Sequence, residues 1–160
     1  MAHFPAPLTR NQSDTLAAQA DAHIAEHGWG LWAVEAVADG RFVGFTGLAV
    51  PTFPTPFDPA VEVGWRLARR AWGRGYATEA ATGALEHAFE RLGLDEVVSF
   101  TATSNVRSVG VMRRLGMTHD PAGDFEHPSL PHGHRLRPHV LYRLSAEEWR
   151  VRGDARQDGS

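Results

Sequence analysis

A short stretch rich in glycine and arginine, RRAWGRGYATEA at 69–80, lies between a segment with strand character and a segment with helical spacing. The segment before it, VEVGWRL at 61–67, is an apolar run typical of a strand, and apolar residues then recur at helical spacing over 75–92. A glycine turn that opens a helix concentrates free backbone N–H groups at the positive end of the helix dipole. Glycine also lets an anion approach the backbone closely. The stretch therefore predicts a binding site for a phosphate or diphosphate.

Two well-known phosphate-binding motifs do not fit this stretch. The P-loop requires a lysine, and all 16 basic residues of the chain are arginine. The dinucleotide-binding motif requires a third glycine where Thr78 stands, and an acidic residue about 20 positions further on a second strand. The glycines therefore serve another kind of phosphate ligand, or they form a plain strand–helix turn with surface arginines.

Composition narrows the class of protein. The chain has 160 residues, enough for one domain with its own core, which we place at 1–152 with a disordered tail at 153–160. Cysteine is absent, which excludes disulfides and a thiol nucleophile. The net charge of -3 does not favour a nucleic-acid partner. The sequence shows neither a membrane-length apolar run nor a signal-peptide pattern, so we expect no membrane partner and a cytoplasmic location.

Hydrophobic periodicity and turn residues predict alternating helices and strands. The expected class is α/β (α+β), a layered fold around a mixed sheet. The first half of the chain is expected to hold a helix from Ser13 or Asp14 to about His27, two strands joined at Asp39-Gly40-Arg41, a proline-rich loop at 51–60 and a strand at 61–67. A helix at 75–92, a strand at 96–102, a helix at 105–115 and a short strand from Met117 should follow. The chain then continues with a polar loop at 120–138, a strand at 139–144 and a short helix opened by a capping box from Ser145 to Glu148.

Two motifs resemble those of one enzyme superfamily. RAWGRG at 70–75 resembles the Arg/Gln-x-x-Gly-x-Gly/Ala signature of the GNAT superfamily, the GCN5-related N-acetyltransferases. NVRSVGVMRRLGM at 105–117 resembles the RimJ/RimL-type branch. The match covers about 30–145, with the motifs in the family's order. The resemblance implies the GNAT fold, a mixed sheet of about six strands with a V-shaped split between the fourth and fifth family strands, here 61–67 and 96–102.

The resemblance also implies acetyl-CoA as co-substrate, without a metal. Backbone N–H groups of the glycine stretch are expected to hold its diphosphate, and the strand before the stretch is expected to pair with its pantetheine arm. The family asparagine reaches the same arm, although asparagine is also a favoured helix cap. The implied cofactor-binding residues are Trp65, Arg66, Leu67, Arg70, Gly73, Arg74, Gly75, Tyr76, Ala77, Thr78, Asn105 and Ser108.

The implied reaction is direct attack of a primary amine on a thioester. The amine must lose a proton, and the developing oxyanion needs N–H donors. Related enzymes often carry a carboxylate where Glu62 stands, so Glu62 is the expected base; the alternative is a surface carboxylate or ion-pair partner. Backbone N–H groups near Trp65 or Arg66 are the oxyanion candidates. Glu62 shares a strand face with Gly64 and Arg66, unless a bulge at Gly64 shifts the alternation.

One position departs from the family pattern. Met112 stands where many relatives place a tyrosine that protonates the departing thiolate. Ser108, which the RimJ/RimL-type branch commonly carries, and Tyr142 on the last strand are the two candidates for this role. Ser108 could instead bond its own helix backbone, and a thiolate with a pKa near about 8.5 can leave unaided.

Histidines are frequent in the last third of the chain. His132, His134 and His139 have a spacing that could bind zinc, but a polar loop explains them as well, and we predict no metal. His127, His134 and His139 could instead line the acceptor side of the site, one of them as a base.

Family members usually begin with a strand and helix that precede what is seen here. We therefore expect an N-terminally shortened form, or a chain whose partner completes the acceptor site, and an exposed sheet edge would suit a homodimer. The leading function is N-acetylation of a protein N-terminus or a small-molecule amine. The alternatives are a non-catalytic acyl-CoA-binding or regulatory module, and a nucleotide-binding domain of another kind.

Overall fold

The computed structural model describes residues 10–158, which form a mixed sheet with helices packed against it. The helices are α1 (Arg10–His27), α2 (Tyr76–Glu86), α3 (Val106–Arg114) and α4 (Ala146–Asp158). The strands are β1 (Leu31–Glu35), β2 (Phe42–Ala49), β3 (Glu62–Leu67), β4 (Glu96–Ala102), β5 (Thr118–His119), β6 (Phe125–Glu126) and β7 (Pro138–Ser145). The sheet has seven strands in the order β1-β2-β3-β4-β7-β5, with β6 paired to β7. The predicted fold class is confirmed.

The hairpin between β1 and β2 forms where its turn residues predict it. Gly40 has a φ of 67°, in the left-handed region that glycine occupies at little cost. The Asp39 carboxylate accepts a hydrogen bond from the backbone N–H of Arg41 at 3.0 Å. The Asp-Gly pair therefore fixes the turn, and the turn sets the register of the two strands.

Strands β3 and β4 lie side by side but separate soon after they begin. β3 pairs along its whole length with β2, whereas its parallel pairing with β4 is limited to Glu62 opposite Val98. β4 in turn pairs along its whole length with β7. The sheet therefore splits between its two central strands, as the resemblance implies.

The main core lies between the sheet and helices α2 and α3. Ala81, Ala84, Leu85 and Ala88 recur at helical spacing and are buried, which confirms the predicted single buried face of this helical region. Small alanine side chains let the helix approach the strands, and a fully buried leucine adds about 1.5–3 kcal/mol to stability. A smaller cluster of Phe57, Val98 and Leu141 covers the opposite face of the sheet.

Several element ends differ from the sequence expectations. α1 is already helical at Arg10, the first described residue, so Ser13 and Asp14 lie inside the helix. α2 continues into a π-helical turn at His87–Arg91. The expected disordered tail is helical as far as Asp158, and residues 159–160 lie outside the described part.

Helix α4 starts at the predicted capping box. The Ser145 hydroxyl oxygen accepts from the backbone N–H of Glu148 at 3.1 Å, and the Glu148 carboxylate lies 2.9 Å from the same hydroxyl. Trp149 stacks on Phe89 with ring centroids 5.6 Å apart, which ties α4 to the end of the α2 region. Within residues 10–158 no helix combines the length and apolar character that crossing a bilayer requires.

Candidate active site

A cavity of about 990 Å³ opens where β3 and β4 separate. Val98 N–H donates to the Val61 carbonyl at 3.0 Å, and the buried Ser99 hydroxyl donates to the Val63 carbonyl at 2.9 Å. Beyond Val63, β4 supplies no register partner for β3 among the described residues. Side chains and backbone from β3, β4, the glycine turn, α3 and the segment 127–139 line the space. The cavity therefore reaches both faces of the sheet through the split.

The edge of β3 that faces the split carries main-chain groups with a clear orientation. Val61 and Val63 turn their carbonyl groups toward β4, and Ala68 N–H donates to Val43 on the β2 side. Successive residues of a strand turn their N–H and C=O groups to alternate edges. Trp65 therefore points its backbone N–H and C=O into the split, whereas Arg66 points its own toward β2.

The glycine turn has the conformation that an anion site needs. Gly73 and Gly75 have φ values of 76° and 78°, and Gly75 immediately precedes α2 with no side-chain cap. The first N–H groups of a helix without a capping side chain seek an acceptor, and the helix dipole favours a negative one. The Thr78 hydroxyl lines the cavity, is buried, and has no hydrogen-bond partner. These unsatisfied donors fit the diphosphate of coenzyme A.

The arginines of the glycine stretch do not line the cavity. Arg70 donates from Nη2 to the Phe42 carbonyl at 2.6 Å, so it braces the start of β2. Arg74 lies between the two lining glycines with an exposed side chain. The positive charge at the cavity comes instead from residues that the sequence analysis did not single out, Arg107 and Arg114 on α3, and from Arg66.

Arg107 and Trp72 form a contact beside the turn. The Arg107 guanidinium carbon lies 5.0 Å from the Trp72 ring centroid, and the Trp72 indole N–H donates to the Leu67 carbonyl at 3.0 Å. Both side chains line the cavity. No spacing in the sequence indicated Arg107, because only the packing of α3 beside the turn brings it to Trp72 and the cavity.

Glu62 lies on the β3 side of the cavity with its carboxylate partly buried. The pairing of β3 with β2 is regular through Gly64, so no bulge shifts the alternation, and Glu62 shares a face with Gly64 and Arg66. Within the described residues the carboxylate forms no hydrogen bond or ion pair, and burial raises the pKa of Glu62 to about 7. A carboxylate with that pKa can accept a proton near neutral pH.

The start of α3 brings together the remaining predicted side chains. The Asn105 oxygen accepts from Ser108 N–H at 3.2 Å, and its amide nitrogen donates to the Thr101 hydroxyl at 3.1 Å, so Asn105 is the helix cap. The Trp65 indole N–H donates to the Ser108 hydroxyl oxygen at 3.2 Å, which leaves the Ser108 proton available as a donor. All of these residues except Thr101 were predicted, and all line the cavity.

Met112 and Tyr142 differ in their access to the cavity. Met112 lines it and is buried. Tyr142 does not line it, because its ring is buried in the main core and stacks on His119 with ring centroids 5.2 Å apart. The structure therefore does not bring Tyr142 to the site, and we do not assign it a role as proton donor.

Histidines of the last third separate into two groups. His127 and His139 line the cavity together with Ser129, Leu130 and Leu136. His134 accepts a hydrogen bond from Leu136 N–H, and His132 is exposed. Across residues 10–158 no three histidine or acidic side chains come close enough to hold a metal ion, so the zinc spacing does not become a zinc geometry.

Known proteins resemble this chain over most of its length. Residues 1–118 match the model of the acetyltransferase (GNAT) domain. FsC-acetyl coenzyme A-N(2)-transacetylase of Aspergillus fumigatus is 38% identical over 126 residues, which are 76% of this chain and 52% of that protein. The chain thus spans about half the length of the curated relatives that it matches.

Solved structures show the same fold. The acetyltransferase of Agrobacterium tumefaciens str. C58 superposes with a TM-score of 0.65 and 28% identity, covering 87% of this chain and 74% of that one. A GNAT-family acetyltransferase of Bacillus anthracis gives a TM-score of 0.68 at 22% identity, covering 88% and 77%. With the split sheet, the glycine turn and the family match in agreement, the chain belongs to the GNAT acetyltransferase family.

Proposed function

We propose that the protein transfers an acetyl group from acetyl-CoA to a primary amine, either a small-molecule amine or a protein N-terminal α-amine. The observation that carries this proposal is Glu62, a carboxylate with a pKa of about 7 in the same cavity as the main-chain N–H groups of the glycine turn. The name of the Aspergillus relative, an acetyl coenzyme A N(2)-transacetylase, supports both the acetyl donor and a nitrogen acceptor.

Each side of the cavity has a separate task. Bound acetyl-CoA would supply the thioester whose acetyl group passes to the amine. The backbone N–H groups at Gly73 and Gly75 and the Thr78 hydroxyl bind its diphosphate. Trp65 offers the backbone N–H that points into the split, so it is the better of the two oxyanion candidates. Glu62 removes the proton that the amine must lose, and that proton remains on its carboxyl group.

The pKa of Glu62 favours acceptors of low basicity. A protein α-ammonium has a pKa of about 7.7–8.0, and an alkylammonium like that of lysine about 10.4. Transfer of a proton from the α-ammonium to a carboxylate with a pKa of about 7 costs roughly 1 kcal/mol. The same transfer from the alkylammonium costs about 4–5 kcal/mol. We therefore favour an amine next to an electron-withdrawing group over a simple alkylamine.

The departing thiolate has one hydroxyl within the motif at 105–117 available to donate a hydrogen bond to it. Ser108 accepts from Trp65 and can donate its own proton into the cavity. Met112 cannot donate one. We propose that the Ser108 hydroxyl donates a hydrogen bond to the departing sulfur, which takes its proton from water, and since thiols have a pKa of only about 8.5, loss of Ser108 should slow the reaction modestly.

Binding and turnover are tested separately. A saturating concentration of acetyl-CoA should raise the melting temperature, since a ligand at 100 times its Kd stabilises by about 2.7 kcal/mol. Thiol release should then appear with at least one member of a panel of N-terminal peptides, amino acid amides, aminoglycosides and polyamines. Absence of a melting shift with both acetyl-CoA and CoA at millimolar concentration would reject the assigned coenzyme site.

A non-catalytic acyl-CoA-binding module is the second candidate. The observation that favours it is Met112, which lines the cavity at the position where many relatives carry a tyrosine that acts as a general acid. This function predicts a melting shift with acetyl-CoA and no thiol release above the uncatalysed rate for any amine in the panel.

Three finer assignments complete the proposal. We propose that the chain belongs to the RimJ/RimL-type branch, on the motif at 105–117, which forms the cap and the body of α3. We retain a cytoplasmic location and a homodimer as proposals, the first suited to a chain without cysteine and the second to the free edge of β1, which pairs with β2 alone among the described strands.

A further inference from the structure

One wall of the cavity lies away from the glycine turn and is built by a different part of the chain. We call it the acceptor wall, and its members are Phe100, His127, Ser129, Leu130, Leu136 and His139. Phe100 belongs to the face of the sheet opposite α2 and α3, so the wall is reached through the split. It presents apolar side chains and two imidazoles to any molecule that approaches Glu62 from that face.

The hydrogen bond of His139 fixes where its proton lies. Its Nδ1 lies 3.0 Å from the Arg137 carbonyl oxygen, and because a carbonyl only accepts, Nδ1 carries the proton. Burial lowers the pKa of His139. In the neutral ring Nε2 then has a free lone pair, so His139 offers a hydrogen-bond acceptor.

His127 is held in the opposite tautomer. The backbone N–H of Ser129 donates to its Nδ1 at 3.2 Å, so Nδ1 has no proton and Nε2 carries it in the neutral ring. Burial, followed by the charge of Arg137, lowers the pKa of His127. Phe53 packs against the His127 ring with centroids 4.3 Å apart and holds it in place. His127 therefore offers a donor, and its ring centroid lies 5.1 Å from that of His139.

The charges around the wall oppose a second cationic group on the acceptor. The described carboxylates that line the cavity are Glu62, the proposed base, and Glu79, which lies on α2 near the glycine turn. Behind the wall, Arg137 donates to the Leu130 carbonyl and forms an ion pair with Glu126 at 3.4 Å. A polyamine would bring further ammonium groups to a wall that has no carboxylate of its own, and the carboxylate behind the wall, Glu126, is already paired with Arg137.

We propose that the acceptor wall recognises an uncharged group that both donates and accepts a hydrogen bond, a hydroxyl or a carboxamide, on an apolar monoamine. His127 donates to this group, His139 accepts from it, and Phe100, Leu130 and Leu136 contact the apolar body. This inference rests on the proposed N-acetyltransferase function and names its acceptor class. The same group next to the amine would lower the amine's basicity, in agreement with the preference expected from Glu62.

The test compares acceptors that differ by one group. Thiol release from acetyl-CoA is measured with phenylalaninol, phenylalaninamide, 2-phenylethylamine and spermidine, and kcat/KM is expressed as the ratio of phenylalaninol to 2-phenylethylamine. His139→Phe and His127→Phe should each lower this ratio about tenfold, because a polar partner is lost while ring area is kept. Differences in intrinsic amine reactivity cancel between variants, and a purely structural defect would slow both acceptors equally.

Rescue and control variants sharpen the test. His139→Gln supplies an amide oxygen and His127→Gln an amide N–H, so both should recover most of the ratio. His132→Phe changes an exposed histidine on the same segment and should leave all rates unchanged. An unchanged ratio in the phenylalanine variants, or a higher kcat/KM for spermidine than for phenylalaninol, would overturn the inference while the acetyltransferase function stands.

Acceptor binding can also be measured without turnover, through the melting temperature. The melting temperature of the CoA-saturated protein should rise further with phenylalaninol than with 2-phenylethylamine, and His139→Phe should remove the difference. Equal shifts, or none, would contradict the acceptor wall. Failure of CoA itself to shift the melting temperature would reject the proposed function instead.

Discussion

The side of the cavity next to the glycine turn is made largely of main-chain groups, whereas the side next to 127–139 is made of side chains. At the turn, left-handed glycines and an uncapped helix start present N–H groups, with the Thr78 hydroxyl among them. On the other side, His127, His139 and Glu62 each contribute a specific titratable group: local backbone bonds orient the two histidines, and burial raises the pKa of Glu62.

This difference explains how one fold can keep the same acetyl donor while the amine acceptor changes. Main-chain groups depend on the local conformation, so most substitutions nearby leave a diphosphate site intact. Side-chain groups change with every substitution, so the acceptor site can vary while the sheet and the turn stay the same. Variants of the two sides should therefore fail in different ways.

Loss of the base should have the largest effect, and only on turnover. Glu62→Gln keeps the side-chain volume but cannot take a proton, so kcat/KM for the best acceptor should fall by about 10² or more. In the unaltered protein kcat/KM should rise with pH through about 7, as Glu62 loses its proton. The melting shift with acetyl-CoA should persist in the variant.

The matched control for this substitution is Glu86→Gln, which changes an exposed carboxylate on α2. It should retain the activity and its dependence on pH. Retention of activity by Glu62→Gln as well would assign deprotonation to another group or to water, and the two sides would then differ less than we propose.

The same carboxylate should make stability depend on pH. The pKa of Glu62 is about 7 in the folded state and near 4.5 when exposed, so between these values the folded state holds a proton that the unfolded state releases. Its effect on stability is complete at low pH and is lost as the pH rises through 7. Glu62→Gln should therefore raise the free energy of unfolding at pH 8 by about 1–3 kcal/mol, with little change at pH 4.5. Urea unfolding at both pH values measures this, and an equal change at both would exclude a raised pKa.

A change in the turn should act on binding first. Gly75→Ala places a Cβ at a φ of 78°, which costs about 1–2 kcal/mol and shifts the N–H groups that open α2. Acetyl-CoA affinity should fall at least tenfold, measured by calorimetry. The control Gly83→Ala lies within α2 with open space around the added Cβ and should stabilise the protein by up to about 1 kcal/mol. Full affinity in Gly75→Ala would place the diphosphate elsewhere.

Structural features that depend on neighbouring residues could be predicted from the sequence, and features that depend on distant contacts could not. The strand at 96–102, the hairpin turn at Asp39-Gly40 and the capping box at Ser145 were predictable because each depends on neighbouring residues. The extension of α4 to Asp158 was not, because it is accompanied by contacts with distant segments, such as the hydrogen bond from Arg152 Nη2 to the Arg114 carbonyl at 2.8 Å.

The site divides in the same way. Gly73, Gly75 and Asn105 belong to local motifs, and all three line the cavity. Tyr142 was misplaced because only the pairing of β7 with β4 decides which way its ring points. The position of Arg107 depends on a contact between two elements, and the tautomers of His127 and His139 depend on the local fold of an irregular loop, so no spacing in the sequence indicates them.

The smallest effect should come from the one side chain that the turn contributes to the diphosphate site. Thr78→Val replaces a buried hydroxyl that has no partner by a methyl group of similar size, so the protein without ligand should be as stable as before or slightly more so. Acetyl-CoA affinity should fall about fivefold to tenfold, because one hydrogen bond to the diphosphate is lost. Thr82→Val is the control, since the Thr82 hydroxyl donates to the Thr78 carbonyl within α2 and not to the cavity. If stability and affinity fall together in Thr78→Val, the hydroxyl supports the fold rather than the ligand, and the turn would bind the diphosphate through its main chain alone.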